Sequence, residues 1–463
     1  MEPIVHAVLK AGPSDRQAGI RMSLSMLNRL GLVTGQTVLL CTQARRVQVR
    51  VGLRVPSDPG EVLVGADLMR RLHLPAGWPV RLRREASGSL HVGPFVGILC
   101  QRNPTGSPYG PQTAFFRRLI RAGRQMHMAV YIFQPGDVNP ATAAVAGWTW
   151  TEARGWTRRL FPLPHVIYDR GYVTPPVLRV QRWLRQRVGC QQFNYLVGSK
   201  WWVYRRMSKE PDLSPYIPET RVLRTTADLA AMVRRHGTVY VKAAGGGKGI
   251  GIWVISNSPK GFAYRYTDGA CRIHRGRTTT LAPIARHLLG RPRQPWLIQP
   301  RIDLARWRGR IFDARVLVQR DGAGDFRVTG TGARIGRPGS IISNLYGGGE
   351  ARPLEPILQD SLGVSSAGAV LLREQIESIA LKVARLIDRS CRRTGYVGEL
   401  GIDIGVDRRG RLWFFEANSR TGRNIFRRAL MPESTALADR RPLEFAAHLA
   451  GFAPQASPAQ ALP

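Results

Sequence analysis

The sequence predicts an α+β protein with three folded modules and a C-terminal tail. Three observations carry this prediction: an internal repeat near the N-terminus, an alternation of strands and helices that begins at Pro94, and two hairpin patterns in the last part of the chain. A chain of 463 residues is long enough for about two to four domains. The predicted modules cover residues 1–92, 93–195 and 196–430, and the tail, which we expect to be partly disordered, covers 431–463.

The first module is predicted from a duplication. The segment MSLSMLNRLGLVTGQTVLL, which begins at Met22, aligns with VGADLMRRLHLPAGWPVRL, which begins at Val64. Each copy has the pattern of a short helix, a turn at a glycine (Gly35 or Gly77) and a strand. Two such copies that close on each other predict a small β-barrel, of which the double-psi barrel is one type. We expect this module to have a structural or docking role.

The second module has the rhythm of an α/β unit. The apolar runs FVGILC (95–100) and MAVYIF (128–133) predict buried strands, and the residues at about 112–126 between them predict a helix. A third run, HVIYDRG (165–171), predicts another strand that ends in a polar turn. Strands that alternate with helices favour a parallel sheet.

The chain carries a net charge of +38. Such a charge favours an anionic partner, for example an acidic polymer or an anionic surface. However, almost all of the 69 basic residues are arginines spread over the whole chain, and we favour the arginine bias of a GC-rich genome as their explanation. The sequence contains no helix-turn-helix, RNP or zinc-finger pattern, so nucleic acid is not the predicted partner.

The cysteines and the apolar runs bear on the compartment. The five cysteines are scattered and form no C-x-x-C pair, which argues against a disulfide framework or a zinc site. No unbroken apolar run reaches the roughly 18 residues of a membrane span, and the first residues do not resemble a secretory signal. We therefore predict a cytoplasmic protein.

A glycine-rich hairpin lies in the third module. The stretch VYVKAAGGGKGIGIWVI (239–255) predicts a strand, a glycine loop and a second strand. It is not a Walker A motif, because Lys248 is followed by Gly249 and no Ser or Thr is present. Two interpretations stay open: a loop whose backbone N–H groups bind phosphate oxygens, and a plain hairpin without such a role.

An acidic hairpin follows in GIDIGVDRRGRLWFFEANSRTG, which begins at Gly401. A four-residue turn at 407–410 would place Asp403 opposite Phe414, with Leu412 on the same face. Because residues i and i+2 of a strand share a face, Asp403, Glu416 and Asn418 would then project together. Two carboxylates and an amide oxygen predict a Mg²⁺ site. The alternative is an amphipathic hairpin whose polar face meets solvent.

These motifs together resemble the ATP-grasp superfamily, in which a strand, a glycine loop with a lysine and a second strand precede a D…E-x-N pattern. The E-A-N-S-x-T-G ending is similar to that of D-alanine–D-alanine ligase. The duplicated N-terminal module and the stretches YDRG and PYIPET resemble the YheC/YheD family of endospore coat-associated proteins. The resemblance implies an ATP-grasp fold, with two α+β subdomains that grip ATP, preceded by an α/β pre-ATP-grasp domain.

The resemblance also implies roles for individual residues. The nucleotide-binding residues would be Lys200, Lys242, Gly246, Gly247, Lys248, Gly249, Gln299, Arg301, Ile302 and Asp313. The two residues beside the transferred phosphate would be Arg315 and Arg334, the Mg²⁺ ligands Asp403, Glu416 and Asn418, and the substrate-side residues Asn344, Gly347 and Gly348. Within this set the lysines and glycines would hold phosphates, Gln299–Ile302 would contact adenine, and Asp313 would bind ribose.

The reaction that the resemblance implies is an ADP-forming ligation of a carboxylate and an amine through an acylphosphate, with ATP and Mg²⁺. One departure is Ile342, which stands where glutathione synthetase-like loops carry an arginine that grips a carboxylate. The departure keeps a second hypothesis open, a non-catalytic ATP-binding protein of spore coat assembly with coat proteins as partners. The family resemblance places either protein in the mother cell or the spore coat.

Overall fold

A computed structural model of the chain describes residues 2–13, 19–55, 58–103, 106–194, 198–245, 250–270, 272–290, 295–345, 348–391 and 395–453. Within these ranges the strands form four sheets, which follow one another along the chain. No helix in these ranges is long and apolar enough to cross a membrane. Short 3-10 turns occur at Gly110–Gln112, Pro135–Asp137 and Ser214–Tyr216.

The first sheet is a closed barrel with the strand order β1-β5-β2-β4-β3-β7-β6. Its strands are β1 (Ile4–Gly12), β2 (Ile20–Met22), β3 (Thr37–Cys41), β4 (Arg46–Leu53), β5 (Glu61–Gly65), β6 (Trp78–Arg84) and β7 (Leu90–Gly93), and its helices are α1 (Leu24–Leu30) and α2 (Ala66–Leu72). The sequence predicted a barrel here, and the type of barrel stays a prediction.

The predicted repeat is confirmed in the local structure. Ser23 caps the start of α1 by accepting a hydrogen bond from the backbone N–H of Met26. The matched residues Gly31 and His73 end α1 and α2 in the left-handed conformation. At the next matched glycines, Gly35 and Gly77, φ is 87° and 72°, and each turn leads into a barrel strand.

The second sheet has the order β10-β11-β9-β8-β13-β14, with β12 paired to β11. Its elements are β8 (Phe95–Leu99), α3 (Thr113–Gln125), β9 (Ala129–Phe133), β10 (Val138–Asn139), β11 (Ala144–Thr151), β12 (Gly155–Pro162), β13 (Val166–Asp169), α4 (Pro175–Val188) and β14 (Gln191–Phe193). The pairs β8–β9, β8–β13 and β13–β14 are parallel, which confirms the predicted α/β unit. The sequence did not predict the antiparallel hairpin of β11 and β12.

The third sheet has the order β15-β20-β16-β17-β18-β19. Its elements are α5 (Lys200–Met207), β15 (Arg221–Leu223), α6 (Thr226–His236), β16 (Thr238–Ala243), β17 (Trp253–Ser258), β18 (Gly261–Thr267), β19 (Ile273–Thr278), α7 (Ala282–Leu289) and β20 (Trp296–Pro300). The glycine-rich hairpin is present, since β16 and β17 pair antiparallel. The loop residues Gly246, Gly247, Lys248 and Gly249 lie outside the described residues.

The fourth sheet has the order β24-β23-β22-β25-β26, with β21 paired to β22. Its elements are β21 (Arg306–Trp307), β22 (Arg310–Arg320), β23 (Phe326–Ile335), β24 (Glu350–Pro353), α8 (Leu354–Leu362), α9 (Ser366–Cys391), β25 (Glu399–Val406), β26 (Leu412–Asn418), α10 (Asn424–Arg428) and α11 (Pro432–Leu449). The helix predicted from the periodicity of residues 371–394 is α9, which begins five residues earlier at Ser366.

The predicted register of the acidic hairpin was wrong. Val406 pairs with Leu412, because Asp407 accepts hydrogen bonds from the N–H groups of Arg409 and Arg411 and makes the connection one residue longer. A β-bulge then places an extra residue before Glu416 and reverses the alternation of faces. Leu412 and Phe414 therefore enter the core, whereas Asp403 lies directly opposite Glu416 on the other face.

The tail predicted over 431–463 is corrected in its first part. Pro432–Leu449 forms α11, whose residues Leu443 and Phe445 are buried against the second sheet. Pro432 occupies the first turn of the helix, where a missing N–H costs little. Pro442 lies in the interior of the helix, where proline ordinarily disfavours helical structure. Residues 454–463 lie outside the described residues.

The apolar cores do not follow the predicted module boundaries. One buried cluster contains both barrel residues and residues of the second sheet. At their contact the rings of Trp78 and Phe161 meet edge to face at 5.7 Å. The boundaries near 92, 195 and 430 therefore stay predictions. A separate cluster lies under the fourth sheet, where Phe414 (1% exposed) packs with Ile404 and residues of α9.

Removing the Phe414 ring tests that core. Phe414→Ala is expected to lower the free energy of unfolding by about 3–5 kcal/mol, because it deletes a fully buried ring and leaves a cavity. Leu371→Ala, on the exposed side of α9 at 59% exposure, serves as the control. Urea unfolding followed by circular dichroism measures both. A Phe414→Ala variant as stable as the control would contradict the described packing.

Candidate active site

A cleft with a volume of about 950 Å³ lies between the third and fourth sheets. Most of the predicted site residues line it: Lys200, Lys242, Gln299, Arg301, Ile302, Asp313, Arg315, Arg334, Asn344, Asp403, Glu416 and Asn418. Gly348 is not part of its lining, and Gly347 lies outside the described residues. The fold thus brings together side chains that are more than two hundred positions apart in the sequence.

Two carboxylates form the acidic centre of the cleft. Asp403 on β25 and Glu416 on β26 are directly opposed across the strands, and the Asn418 amide donates a hydrogen bond of 2.9 Å to Glu416 Oε1. Burial raises the pKa of Asp403, which is 2% exposed, above its usual value despite two nearby arginines. Burial would also raise the pKa of Glu416, but the ammonium of Lys200 holds it well below its ordinary value.

Three cationic side chains surround this carboxylate pair. Lys200 Nζ lies 3.1 Å from Glu416 Oε2. Arg315, opposite Asp403 on the neighbouring strand β22, contacts it through Nε and Nη2. Arg334 Nη2 lies 2.7 Å from Asp403 Oδ2. The arrangement brings alternating charges to one face of the fourth sheet, and each buried charge has a partner, as burial requires.

Lys242 reaches the same space from the third sheet. It lies on β16, and its Nζ donates a hydrogen bond of 2.9 Å to Tyr204 Oη. Tyr204 in turn donates to the carbonyl oxygen of Phe415 at 2.6 Å. Burial lowers the pKa of Lys242 to about 8, although Glu416 and Asp403 act in the opposite direction. A lysine with a pKa this close to neutrality gains much from an anion that enters the cleft.

The partners of Gln299 and Asp313 differ from the predicted roles. The Gln299 amide donates to Thr220 Oγ1 at 2.8 Å, and the side chain is only 5% exposed. Asp313 binds Arg334 with two hydrogen bonds of 2.7 and 2.6 Å and accepts another from Ser343. Both residues line the cleft, but their side chains already have protein partners. Their contacts with adenine and ribose stay predictions.

The donor set at Asp403, Glu416 and Asn418 has the chemistry of a Mg²⁺ site. Hard oxygen atoms from one or two carboxylates, completed by phosphate oxygens and water, are what Mg²⁺ prefers. The described residues contain no cluster of three or more His, Cys, Asp or Glu side chains able to hold a metal. A metal here would therefore depend on the Asn418 amide oxygen and on oxygens of a ligand.

Sequence reasoning missed several residues that hold the site. Tyr204, one helical turn after Lys200 on α5, orients Lys242. Thr421 accepts a hydrogen bond of 3.1 Å from Arg315 Nη1. The i, i+4 spacing of Lys200 and Tyr204 was a visible signal for the first of these residues. Thr421 is part of the E-A-N-S-x-T-G ending, but nothing in that motif indicated its contact with Arg315, which lies on β22.

A second buried network joins the cleft to the second sheet. Glu399, which is fully buried, accepts hydrogen bonds from Arg170, Arg423, Tyr168 and Gln319. Tyr168 belongs to β13 and Arg170 directly follows it, whereas the other partners belong to the fourth sheet or the segment after it. One carboxylate therefore holds two parts of the chain together.

Removal of this charge should be costly. Glu399→Gln is expected to destabilise the protein by about 3–5 kcal/mol, because it leaves two buried guanidinium groups without their counter-charge. Glu152→Gln, which removes an exposed partner of Arg121, is the control and should cause no measurable change. The shift of the urea midpoint measures both variants. Equal midpoints would show that Glu399 does not hold the two parts together.

Comparison with known proteins places this fold and site in a family. The family model described as YheC/D like ATP-grasp matches residues 189–449, which is more than half of the chain. The chain belongs to the YheC/D-like ATP-grasp family. It is similar to the endospore coat-associated protein YheD of Bacillus subtilis (strain 168), with 27% identity over 372 residues that cover 78% of this chain and 80% of YheD.

Further relatives of this ATP-grasp chain are more distant. Endospore coat-associated protein YheC of Bacillus subtilis (strain 168) is 23% identical over 299 residues, which cover 63% of this chain and 80% of YheC. A structure of the ATP-grasp ligase PsnB complexed with minimal precursor has a TM-score of 0.45 and 12% identity, covering 76% of this chain and 99% of PsnB. A structure of the D-alanine-D-alanine ligase from Coxiella burnetii has a TM-score of 0.43 and 12% identity, covering 78% of this chain and 94% of the ligase.

Proposed function

We propose that this protein binds Mg²⁺-ATP in the cleft between its third and fourth sheets and is an ADP-forming carboxylate–amine ligase. The observation that carries the proposal is the buried Asp403–Glu416 pair with Lys200, Arg315 and Arg334 around it. Transfer of a phosphoryl group depends on positioning and on charge neutralisation more than on an acid or a base. Such chemistry needs the residue types that this cleft contains.

The proposed reaction has two steps. A substrate carboxylate oxygen attacks the γ-phosphorus of ATP, the bond to the β-phosphate oxygen breaks, and ADP and an acylphosphate form. An amine then attacks the acyl carbon, phosphate leaves, and the amine nitrogen loses a proton. Asp403, Glu416 and Asn418 would hold Mg²⁺, which when bound would neutralise negative charge on the phosphates.

The cationic side chains have distinct proposed tasks. Lys200 and Lys242 enter from α5 and β16 and would hold nucleotide phosphates. Arg315 and Arg334 extend from the fourth sheet and would stabilise the negative charge on the transferred phosphoryl group. Because Asp403 fixes both guanidinium groups before any ligand enters, their positioning costs little at the moment of reaction.

The alternative is an ATP-binding protein of spore coat assembly that performs no ligation. Ile342 favours it, because an apolar side chain lines the cleft where related loops carry a carboxylate-gripping arginine. The similarity to YheD and YheC, two endospore coat-associated proteins, supports an association with spore formation for either function. We propose that the chain acts in the mother cell cytoplasm or on the spore coat.

Release of ADP distinguishes these two functions. The protein is incubated with ATP, Mg²⁺ and pools of carboxylic acids and amines, and ADP and phosphate are measured with and without each pool. Acid-dependent ADP release, with an acylphosphate trapped by hydroxylamine, supports the ligase. Binding of Mg²⁺-ATP without any acid-dependent turnover would favour the coat-assembly alternative.

A further inference from the structure

The cleft extends beyond the carboxylate pair to a wall rich in arginine. We call this surface the arginine wall and define it as Arg170, Arg420, Arg423 and Arg428. Arg170 follows β13 of the second sheet, and the other three belong to the segment after β26. All four side chains line the same cleft as Asp403 and Glu416.

The wall carries more positive charge than its carboxylates neutralise. Glu399 forms ion pairs with two of the guanidinium groups, those of Arg170 and Arg423. Asp169 lies 3.5 Å from Arg420, and Arg428 has no ion-pair partner among the described residues. Asp439 also attracts Arg423, but it is paired with Arg118, a further cation of the cleft lining. The four cations of the wall thus share two carboxylates, Glu399 and Asp169. An unbalanced cluster of cations next to a low-dielectric core favours an anion at that place.

Two hydrogen-bond donors of the wall are also unused. The Nε atoms of Arg420 and Arg423 are buried and have no hydrogen-bond partner in the part of the chain that the structure describes. Arg423 is only 6% exposed, and its guanidinium lies 4.2 Å from the centre of the Phe115 ring, which fixes its position. Buried donors without a partner are rare in folded proteins because each costs free energy. The fold therefore leaves both guanidinium groups with unsatisfied hydrogen-bonding capacity beside the cleft.

The wall lies next to the phosphate-transfer residues. Thr421 accepts a hydrogen bond from Arg315 at 3.1 Å through its hydroxyl and one from Arg170 at 3.4 Å through its carbonyl oxygen. The adjacent Gly422 faces open space, since a Cβ added there would meet nothing within 4 Å. A small molecule that reacts beside Arg315 could therefore extend over Gly422 to the wall.

We propose that the arginine wall binds a second anionic group of the acid substrate, so that this substrate is a dicarboxylic acid or a carboxylic acid with a phosphate-type group. The inference rests on the proposed function, since it names the class of acid that the ligase activates. The proposal also explains why Ile342 can replace an arginine. The cations that bind the substrate would come from the segments after β26 and β13, so the loop that contains Ile342 does not need one.

Calorimetric titration of the full chain, saturated with Mg²⁺ and the non-hydrolysable analogue AMP-PNP, tests the proposal. The ligands are succinate, glutarate and adipate, the monoamide of each, and 4-phosphonobutyrate, which matches glutarate in length. We expect at least one diacid to bind about tenfold or more tightly than its monoamide, or 4-phosphonobutyrate to bind that much more tightly than the monoamide of glutarate, because the monoamide lacks the second negative charge and its charge-assisted hydrogen bonds. Preference between glutarate and the phosphonate identifies the second group.

Two variants and a control locate the binding. Arg428→Met and Arg420→Met should each lower the affinity for the preferred ligand about tenfold. Each should also remove the difference in affinity between that ligand and the monoamide. Arg427→Met removes the same charge from an exposed residue of α10 outside the cleft lining. It should change neither the affinity for the preferred ligand nor the discrimination against the monoamide. Equal binding of acids and monoamides, or an equal effect of all three variants, would overturn the proposal. Failure of AMP-PNP itself to bind would instead contradict the proposed function.

Discussion

Glu416→Gln is expected to lower Mg²⁺-dependent ADP formation by about a thousandfold. The substitution keeps the size of the side chain and an oxygen that can accept the hydrogen bond from Asn418. It removes one of the two charges that would hold the metal and the partner of Lys200. A loss of roughly 3–4 kcal/mol of transition-state stabilisation is typical when a preorganised electrostatic contact is deleted from such a site.

Two measurements separate this effect from unfolding. ADP release with the acid substrate gives the loss of activity, and the dependence of AMP-PNP affinity on Mg²⁺ gives the loss of metal coupling. Glu374→Gln, which changes an exposed carboxylate on α9, is the matched control. The account requires an unchanged circular dichroism spectrum in both variants. Turnover of Glu416→Gln at the rate of the control would refute the role of this carboxylate.

Lys242→Met is expected to weaken Mg²⁺-AMP-PNP binding by about a hundredfold and to abolish its pH dependence above pH 8. The ammonium group is enclosed beside Tyr204, so no other cation can replace it. Burial lowers the pKa of Lys242 to about 8 in the free protein. Polyphosphate favours the charged lysine and raises that pKa, so nucleotide binding is coupled to proton uptake.

The sign of the pH dependence follows from this lowered pKa. Between about pH 8 and the ordinary lysine pKa near 10.4, the unfolded chain binds more protons at this position than the free folded protein. The free protein therefore gains stability from Lys242 as pH rises through that window. Nucleotide affinity changes in the opposite direction and falls above pH 8, because the charged lysine must first be restored.

Calorimetry in two buffers of different ionisation enthalpy measures the proton uptake. Phosphate groups lose their second proton near pH 6, so uptake at pH 8.5 comes from the protein. The wild type should take up a proton at pH 8.5 and almost none at pH 6.5, whereas Lys242→Met should take up none at either pH. Lys260→Met, on the exposed turn between β17 and β18, is the control. Uptake that persists in Lys242→Met would assign the titration to another group.

The elements that were predicted correctly are those marked by patterns of residues that lie close together in the sequence. The duplicated helix, glycine turn and strand were visible because Gly35 and Gly77 occur at matched positions and both adopt positive φ. The glycine hairpin and helix α9 were visible as alternation and as helical periodicity. In each case the residues that define the element lie within one turn or one strand of each other.

Features that depend on long-range contacts were not predicted. The β-bulge before Glu416 changes the face of Phe414, and nothing in FFEAN marks it. The shared face of Asp403 and Glu416 was predicted correctly from a wrong register, because the longer connection and the β-bulge together shift the register by two residues, which keeps the alternation of faces. Helix α11 was not predicted: it contains Pro442 in its interior, and its burial against the rest of the fold stabilises it.

The arginines illustrate the same limit. With so many arginines in the chain, the sequence could single out Arg315 and Arg334 only through resemblance. The structure distinguishes them by direct contact with Asp403. Arg423 and Arg428 had no sequence signal at all, because their place at the cleft depends on how the segment after β26 meets the second sheet.

The central claim is a Mg²⁺-dependent nucleotide site, and one calorimetric experiment tests it most directly. AMP-PNP is titrated into the protein with and without Mg²⁺ at two salt concentrations, and tripolyphosphate is titrated in parallel because a chain with a net charge of +38 binds any polyphosphate. The account predicts micromolar binding that requires Mg²⁺, prefers the adenine nucleotide and persists at the higher salt concentration. Weak binding that salt removes and that tripolyphosphate matches would contradict it.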